Sequence, residues 1–314
     1  MQELLILAQV GPFTLTAYGL CLLAGALCFV AVTLLRSRKE LGMERGLSLC
    51  LTALVSAWLG GRVVYVLAKL EEILVDTDYY GVPFILHPWE GGYTLYGAVL
   101  GCMLGVYLYA RATHQKAGTL FDTLVPGAAL ALCCIRLGEY FTSEGLGHYV
   151  EEAALQGFPF AVQNIYEDWQ QPVFVWEAAV ALVLCIALAV QRMPRRAGAL
   201  GEQFLMLLGA TQIFLESHRE DECIRFGFVR FTQVAAIVLM TAVFFCRVRR
   251  MVKENGWRAG TVVRIVVFVL VIALCIGIEF ALDKSSIDNH VLYAVMAAGL
   301  TGMCFAALWP AKRK

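Results

Sequence analysis

Apolar residues recur along this chain in long blocks separated by short polar stretches. Nine blocks, at about 14–35, 47–69, 93–110, 120–138, 172–191, 199–216, 231–247, 262–282 and 290–309, approach or exceed membrane length, because roughly 18 to 20 apolar residues cross a bilayer as a helix. Barrel strands would instead alternate apolar and polar positions over about ten residues. The pattern therefore predicts an all-α polytopic membrane protein with about nine transmembrane helices. The third block is rich in glycine, with Gly97, Gly101 and Gly105 spaced by four, a pattern that lets helices approach closely. The stretches 70–92 and 139–171 are the long connections. Their Tyr79, Tyr80, Trp89, Tyr93, Tyr166 and Trp169 are the amphipathic rings expected where membrane meets water. The second connection is predicted to form a small extracytoplasmic cap.

Composition agrees with this reading. Hydrophobic residues make up 60% of the chain and charged residues 16%, and the mean hydropathy is +0.69. An ordinary soluble domain is excluded, and a nucleic-acid-binding role has no support. Charge placement then orients the helices. Of 25 Lys and Arg residues, 18 lie in the loops 36–45, 111–118, 192–196, 247–264 and 312–314, and 5 in the alternating segments 1–13, 70–92, 136–171, 216–230 and 283–290. Cytoplasmic loops carry the excess of Lys and Arg, so the N-terminus is expected outside and the C-terminus in the cytoplasm. Residues 1–10 hold Glu3 and no Lys or Arg, so the first block reads as a retained helix rather than a cleaved signal. Nearly all of the 11 cysteines sit within apolar blocks, where a thiol acts as a small hydrophobe; Cys223 is in an outer loop. No Cys-x-x-Cys or Cys/His ligand spacing occurs, so neither metal nor cofactor is predicted.

Candidate chemistry lies where charge meets apolar sequence. Arg62 follows Gly60-Gly61 in mid-block, an expensive position unless it is paired or solvated from a cavity. Arg136 and Glu139 close the fourth block, with Glu144 beyond them. Glu177 lies inside the fifth, and Glu216 and Arg219 close the sixth. Arg136–Glu139 and Glu216–Arg219 are spaced as local helical pairs that seat helix ends. Alternatively, the two guanidiniums converge on a phosphate, which arginine grips through bidentate hydrogen bonds, with the carboxylates orienting them. Glu279, near the outer end of the eighth block, reads as interfacial. His87, His148 and His218 are scattered and read as solvated.

Six segments, in order, resemble the bacterial prolipoprotein diacylglyceryl transferase family. They are Gly11-Pro-Phe-Thr-Leu-Thr-Ala-Tyr-Gly-Leu20, Gly60-Gly-Arg-Val-Val-Tyr-Val66, Gly92-Tyr-Thr-Leu-Tyr-Gly-Ala-Val-Leu-Gly101, Arg136-Leu-Gly-Glu-Tyr-Phe-Thr-Ser-Glu-Gly-Leu-Gly147, Gln171-Pro-Val-Phe-Val-Trp-Glu177 and Gln212-Ile-Phe-Leu-Glu-Ser-His-Arg-Glu-Asp221. The resemblance covers residues 11–250, Gln233 included. It implies a seven-helix bundle in the bacterial inner membrane with an extracytoplasmic N-terminus. It also implies transfer of the diacylglyceryl group of phosphatidylglycerol to the lipobox cysteine of a prolipoprotein signal peptide, with release of glycerol 1-phosphate. Residues 1–250 would form the transferase-like domain, and residues 251–314 a further pair of membrane helices.

The expected catalytic set is Arg136, Tyr96, Glu144, Glu216 and Arg219. The expected substrate-binding set is Arg62, Gly138, Glu139, Gly147, Glu177 and Gln212. Arg136 and Arg219 would hold the phosphate, Glu144 and Glu216 would orient them, Tyr96 would stand near the thiol, and Arg62 and Glu177 would support the cavity; Tyr18 matches another family position. Phosphatidylglycerol, the lipobox signal peptide and membrane lipids are the expected partners. Four positions depart from the family pattern. Tyr96 stands for a histidine, Glu139 for an asparagine, Gln171 for a histidine and Gln212 for an arginine. A weakened relative that binds or moves an anionic phospholipid, or a related transferase with a different acceptor, also accommodates those departures.

Overall fold

A computed structural model describes residues 6–10, 13–38, 40–75, 91–142, 144–164, 166–220, 225–226 and 229–308. In it, every apolar block is a helix. In chain order the helices are α1 (Ala17–Ser37), α2 (Met43–Ala68), the short α3 (Leu70–Val75), α4 (Leu95–Ala112), α5 (Ala117–Gly138), α6 (Val173–Ala189), α7 (Ala199–Glu216), α8 (Phe231–Asn255), α9 (Ala259–Lys284) and α10 (Asn289–Leu308). The hydropathy pattern assigns α3 to a loop, yet Glu71 and Glu72 in its first turn favour a helix N-terminus. Tyr79, Tyr80, His87, Trp89 and Cys223 lie outside the described residues. Short antiparallel ribbons pair β1 (Ile6–Val10) with β2 (Phe13–Thr16), β3 (Val162–Gln163) with β4 (Trp169–Gln170), and β5 (Arg225–Phe226) with β6 (Val229–Arg230). The β3–β4 pair gives the 139–171 connection regular structure.

Among the described residues, seven helices have both the length and the hydropathy of a membrane span. Of the other two long ones, α6 is apolar but has 17 residues, and Glu202, Gln203, Gln212 and Glu216 dilute the hydropathy of α7. The architecture is that of an all-α polytopic membrane protein. Helix α1 illustrates the physics. Thr16 caps it by accepting the Gly19 N–H at 3.0 Å, a common way to satisfy an orphan donor. Its buried face is Ala17, Gly25, Phe29, Thr33 and Ser37, whereas Leu23, Leu27 and Leu35 are exposed. A soluble helix would bury those leucines; lipid solvates them, and the small face packs inward.

Contacts divide the chain into two units, Met1–Leu146 with Val150–Gly201, and Gly147–Tyr149 with Glu202–Lys314. Residue 250, the expected functional boundary, lies inside α8. In the first unit α2 packs on α4, and α5 packs on both α1 and α6. Helix α5 is the most buried span, with 61% of its apolar window enclosed against 17% for α1, which makes it the axis of that unit. Phe29, Leu49, Cys50, Val106, Leu120 and Leu124 form the apolar cluster around it.

Two polar side chains close helix ends in the same unit. Arg36 donates to the carbonyls of Leu188, Ala189 and Gln191 at 3.1–3.4 Å, satisfying the C-terminus of α6. Asp122 accepts the N–H groups of Gly198 and Gly201 at 2.7 and 2.9 Å, satisfying donors at the start of α7. In the second unit, α9 and α10 pack together, and Phe244 of α8 stacks on Phe268 of α9 at 4.1 Å.

The glycine spacing of α4 has its expected use. A methyl on Gly60 would come within 2.6 Å of the Gly101 Cα, and one on Gly101 within 2.8 Å of the Gly60 Cα. These backbones touch, and without a hydrophobic drive between helices in lipid such packing supplies much of the association. Gly101→Ala should therefore destabilise the detergent-solubilised protein by about 1–3 kcal/mol, measured by chemical unfolding. The same change at Gly277, where an added methyl meets nothing within 4 Å, should not.

Candidate functional site

The last turn of α5 turns a helix end into a charged seat. The Glu139 N–H donates to the Arg136 carbonyl, and a 3-10 turn over Glu139–Phe141 continues the chain. Thr142 then donates its N–H to the Glu139 carbonyl at 3.0 Å. These bonds turn the chain out of the helix and leave the side chains of Arg136 and Glu139 on one side, where they form an ion pair. Gly145 brings the chain back. Its φ is +71°, the left-handed region that glycine enters without penalty, and its carbonyl accepts the Phe174 N–H at 2.9 Å. A side chain at 145 would lie 2.5 Å from Glu139 Oε2 and 2.8 Å from Phe174 Cβ.

That crossing fixes the start of α6, and one turn later Glu177 Oε2 lies 3.2 Å from Arg136 Nε. Side-chain exposures are 9% for Arg136, 6% for Glu139 and 1% for Glu177, so protein groups rather than solvent neutralise the arginine. Gly138 and Glu144 border the seat. A methyl on Gly138 would meet Cys21 Cβ at 2.8 Å, so this glycine admits α1, while Glu144 is exposed.

Arg62 is buried in α2 and reaches the next connection. Its guanidinium donates to the carbonyls of Gly91 and of Gly92, the latter at 3.2 Å, and lies 5.8 Å from the centre of the Tyr93 ring. Gly91 and Gly92 have φ of +86° and +77°, and a methyl on Gly92 would press on Arg62 Nη1 at 2.7 Å. The glycine pair is what lets the arginine hold this turn. Thr94 next caps α4, accepting the Gly97 N–H at 3.2 Å, and Tyr96 is buried in the first turn.

The second unit holds the other predicted residues. Gln212 and Glu216 are buried on α7, and Arg219 follows, its backbone bridged to Gly147. Arg230, which sequence reasoning left in the general charge count, is buried and stands 3.7 Å from Glu216. It also donates to the Arg219 carbonyl. Its only sequence signal is its position immediately before an apolar block, the setting that singled out Arg136 at the other end of one. The structure thus brings Arg136, Glu139 and Glu177 together in one unit, and Gly147, Glu216 and Arg219 close to Arg230 in the other.

The solvated reading of His218 is corrected, and Glu279 has protein partners. Glu279 is half-buried and accepts hydrogen bonds from Ser217 and Gln233. His218 is buried, donates its Nδ1–H to the Phe214 carbonyl at 3.0 Å, and stacks on Tyr293 at 4.0 Å. His148 pairs with Glu220 and lies 3.1 Å from the Tyr293 hydroxyl. Tyr293, which stacks on His218, is distant in sequence, so the chain alone does not reveal that burial. Burial holds His218 below its ordinary pKa of 6.5, opposed by the Phe214 carbonyl and reinforced by His148 and His290.

The chain matches the family model described as "Prolipoprotein diacylglyceryl transferase" over residues 5–276. A phosphatidylglycerol–prolipoprotein diacylglyceryl transferase of Streptococcus pneumoniae serotype 4 is 28% identical over 242 residues, covering 75% of this chain and 89% of the relative. The enzyme of that name from Synechococcus elongatus is 26% identical, covering 74% and 82%. That from Listeria innocua serovar 6a is 24% identical, covering 79% and 90%.

Removing one partner of a buried ion pair leaves uncompensated charge. Glu177→Leu should cost about 3 kcal/mol of stability, read by chemical unfolding. His218 supplies a pH signature. Its folded pKa is below the unfolded value, so its contribution is present above pH ~6.5 and is lost as pH falls below that. The unfolding midpoint should drop between pH 7.5 and 5.5, and His218→Gln should flatten that drop.

Proposed function

The chain belongs to the prolipoprotein diacylglyceryl transferase family, and from that membership we propose that it transfers the diacylglyceryl group of phosphatidylglycerol to the lipobox cysteine of prolipoproteins. The products are a thioether-linked lipoprotein and glycerol 1-phosphate. The chain is a multi-pass bacterial membrane protein and an enzyme of the transferase class. The alternation of Lys and Arg along its loops supports an extracytoplasmic N-terminus and a cytoplasmic C-terminus. Residues 1–250 would carry the transferase-like part, with residues 251–314 added to it.

The reaction needs two things of the protein. The acceptor thiol, with an ordinary pKa near 8.5, must attack as thiolate, and the departing glycerol phosphate must be stabilised as charge gathers on it. For the second, the seat of Arg136 between Glu139 and Glu177 is the observation that carries the site assignment. A guanidinium held by two carboxylates is fixed in plane and direction before substrate arrives, which is the condition for electrostatic preorganisation. In this reading Arg219 also serves the phosphate, with Arg62 holding the 91–93 turn and Glu216 orienting the later charges. Glu139, where the family pattern has asparagine, is then the partner that keeps Arg136 in place. Tyr96 has an ordinary pKa near 10 and orients the thiol rather than deprotonating it. Glu144, Gly138, Gly147 and Gln212 shape the surroundings of these charges.

Expression in a transferase-depleted bacterium, with mass spectrometry of a reporter lipoprotein, tests this reading. The diacylglyceryl thioether should form with the wild-type chain, and Arg136→Gln should lower its rate by about 10²-fold or more. Absence of the thioether at verified expression contradicts the proposed reaction.

A further inference from the structure

The family match ends at residue 276, but hydrogen bonds do not. Two side chains beyond it, Glu279 on α9 and Tyr293 on α10, reach the segment that follows α7. Glu279 Oε1 accepts from Gln233 Nε2 at 2.7 Å and from the Ser217 hydroxyl. Gln233 Oε1 in turn accepts the Arg230 N–H at 3.1 Å. Arg230 then donates to the Arg219 carbonyl and faces Glu216. From the other side, the Tyr293 hydroxyl donates to the Ser217 carbonyl at 3.3 Å, and the Tyr293 ring stacks on His218 at 4.0 Å. Glu216, Ser217, His218 and Arg219 are consecutive; the two added helices grip Ser217 and His218 directly, and Gln233 links Glu279 to Arg230, which holds Glu216 and Arg219.

Local forces alone hold this segment weakly. Helix α7 ends at Glu216, and among the described residues turn bonds continue it, from the His218 N–H to the Leu215 carbonyl at 3.0 Å and from the Arg219 N–H to the Glu216 carbonyl at 3.3 Å, with the Ser217 hydroxyl and His218 Nδ1 reaching back to the Ile213 and Phe214 carbonyls. A charge that stabilises a leaving phosphate acts only when held in place. Gln233 is 2% exposed, so its amide needs partners within the protein, and Glu279 supplies one.

We propose that Glu279 and Tyr293 are positioning residues for the transferase reaction, and that α9 and α10 complete the Glu216–Arg219 half of the site rather than merely padding the bundle. The proposal rests on the reaction proposed above. It assigns the additional helices a task that their lack of a recognisable motif conceals. Neither residue touches substrate in this account; each acts through Ser217, His218 and the Gln233–Arg230 chain.

Full-length protein in phosphatidylglycerol nanodiscs, with a lipobox peptide as acceptor, gives the test. Glu279→Leu and Tyr293→Phe should lower kcat about tenfold while KM for the lipid stays within about twofold. Glu279→Gln keeps an acceptor oxygen and should restore kcat to within about threefold of wild type. Hydrogen–deuterium exchange at residues 214–220 should accelerate in Glu279→Leu and in Tyr293→Phe and stay near wild type in Glu279→Gln. Unchanged kcat and unchanged exchange in both disruptive variants overturn the proposal, as does a Glu279→Gln variant as impaired as Glu279→Leu. A wild-type chain that folds but transfers nothing overturns the reaction itself, and the exchange measurement then decides the positioning claim by itself.

Discussion

A guanidinium buried at the end of a membrane-length helix must be neutralised by the protein that carries it, because neither hydrocarbon tails nor distant water can do so. Much of the first unit is arranged around that demand. Arg136 needs a carboxylate one turn away, which Glu139 provides, and a second from another helix, which is Glu177. Bringing Glu177 there requires the connection after α5 to fold back on itself, and that return needs the left-handed backbone of Gly145. The buried charge, the sharp exit from α5 and the glycine form one construction. An isolated buried pair gives weak grounds for stability, so its retention here is better explained by a need for a fixed cation.

Close helix packing is the second condition. Arg62 reaches the Gly91 and Gly92 carbonyls because α2 and α4 approach until their glycine backbones touch. Leucines on α1 meanwhile face outward, where lipid replaces the core that a soluble protein would need. Small residues inside and large ones outside set the helices close enough for short polar connections to hold charged side chains in place.

Much of this was legible in the sequence, for reasons that differ by element. Among the described residues, the nine long helices follow from apolar run length, and the Arg136–Glu139 pair from i,i+3 spacing next to an apolar block. Even Gly145 belongs to a quoted motif. Glu177 could be named, but its partner could not, because the pairing depends on a loop crossing that periodicity does not encode. Arg230, Glu279, His148 and Tyr293 were missed for the same reason. Each lies in sequence that looks ordinary, at a span edge, inside a helix or in a loop, and gains meaning only from residues 11 to 145 positions away. The short helix α3 was lost because six residues are too few to show a period.

The central claim is that Arg136, held by Glu139 and Glu177, receives the phosphate of phosphatidylglycerol. An experimental structure of the protein in a nanodisc of that lipid addresses it directly. The account predicts lipid phosphate oxygens about 3 Å from the Arg136 guanidinium, with both carboxylate contacts preserved. A bound lipid whose phosphate lies elsewhere, with Arg136 contacting only protein groups, would contradict it.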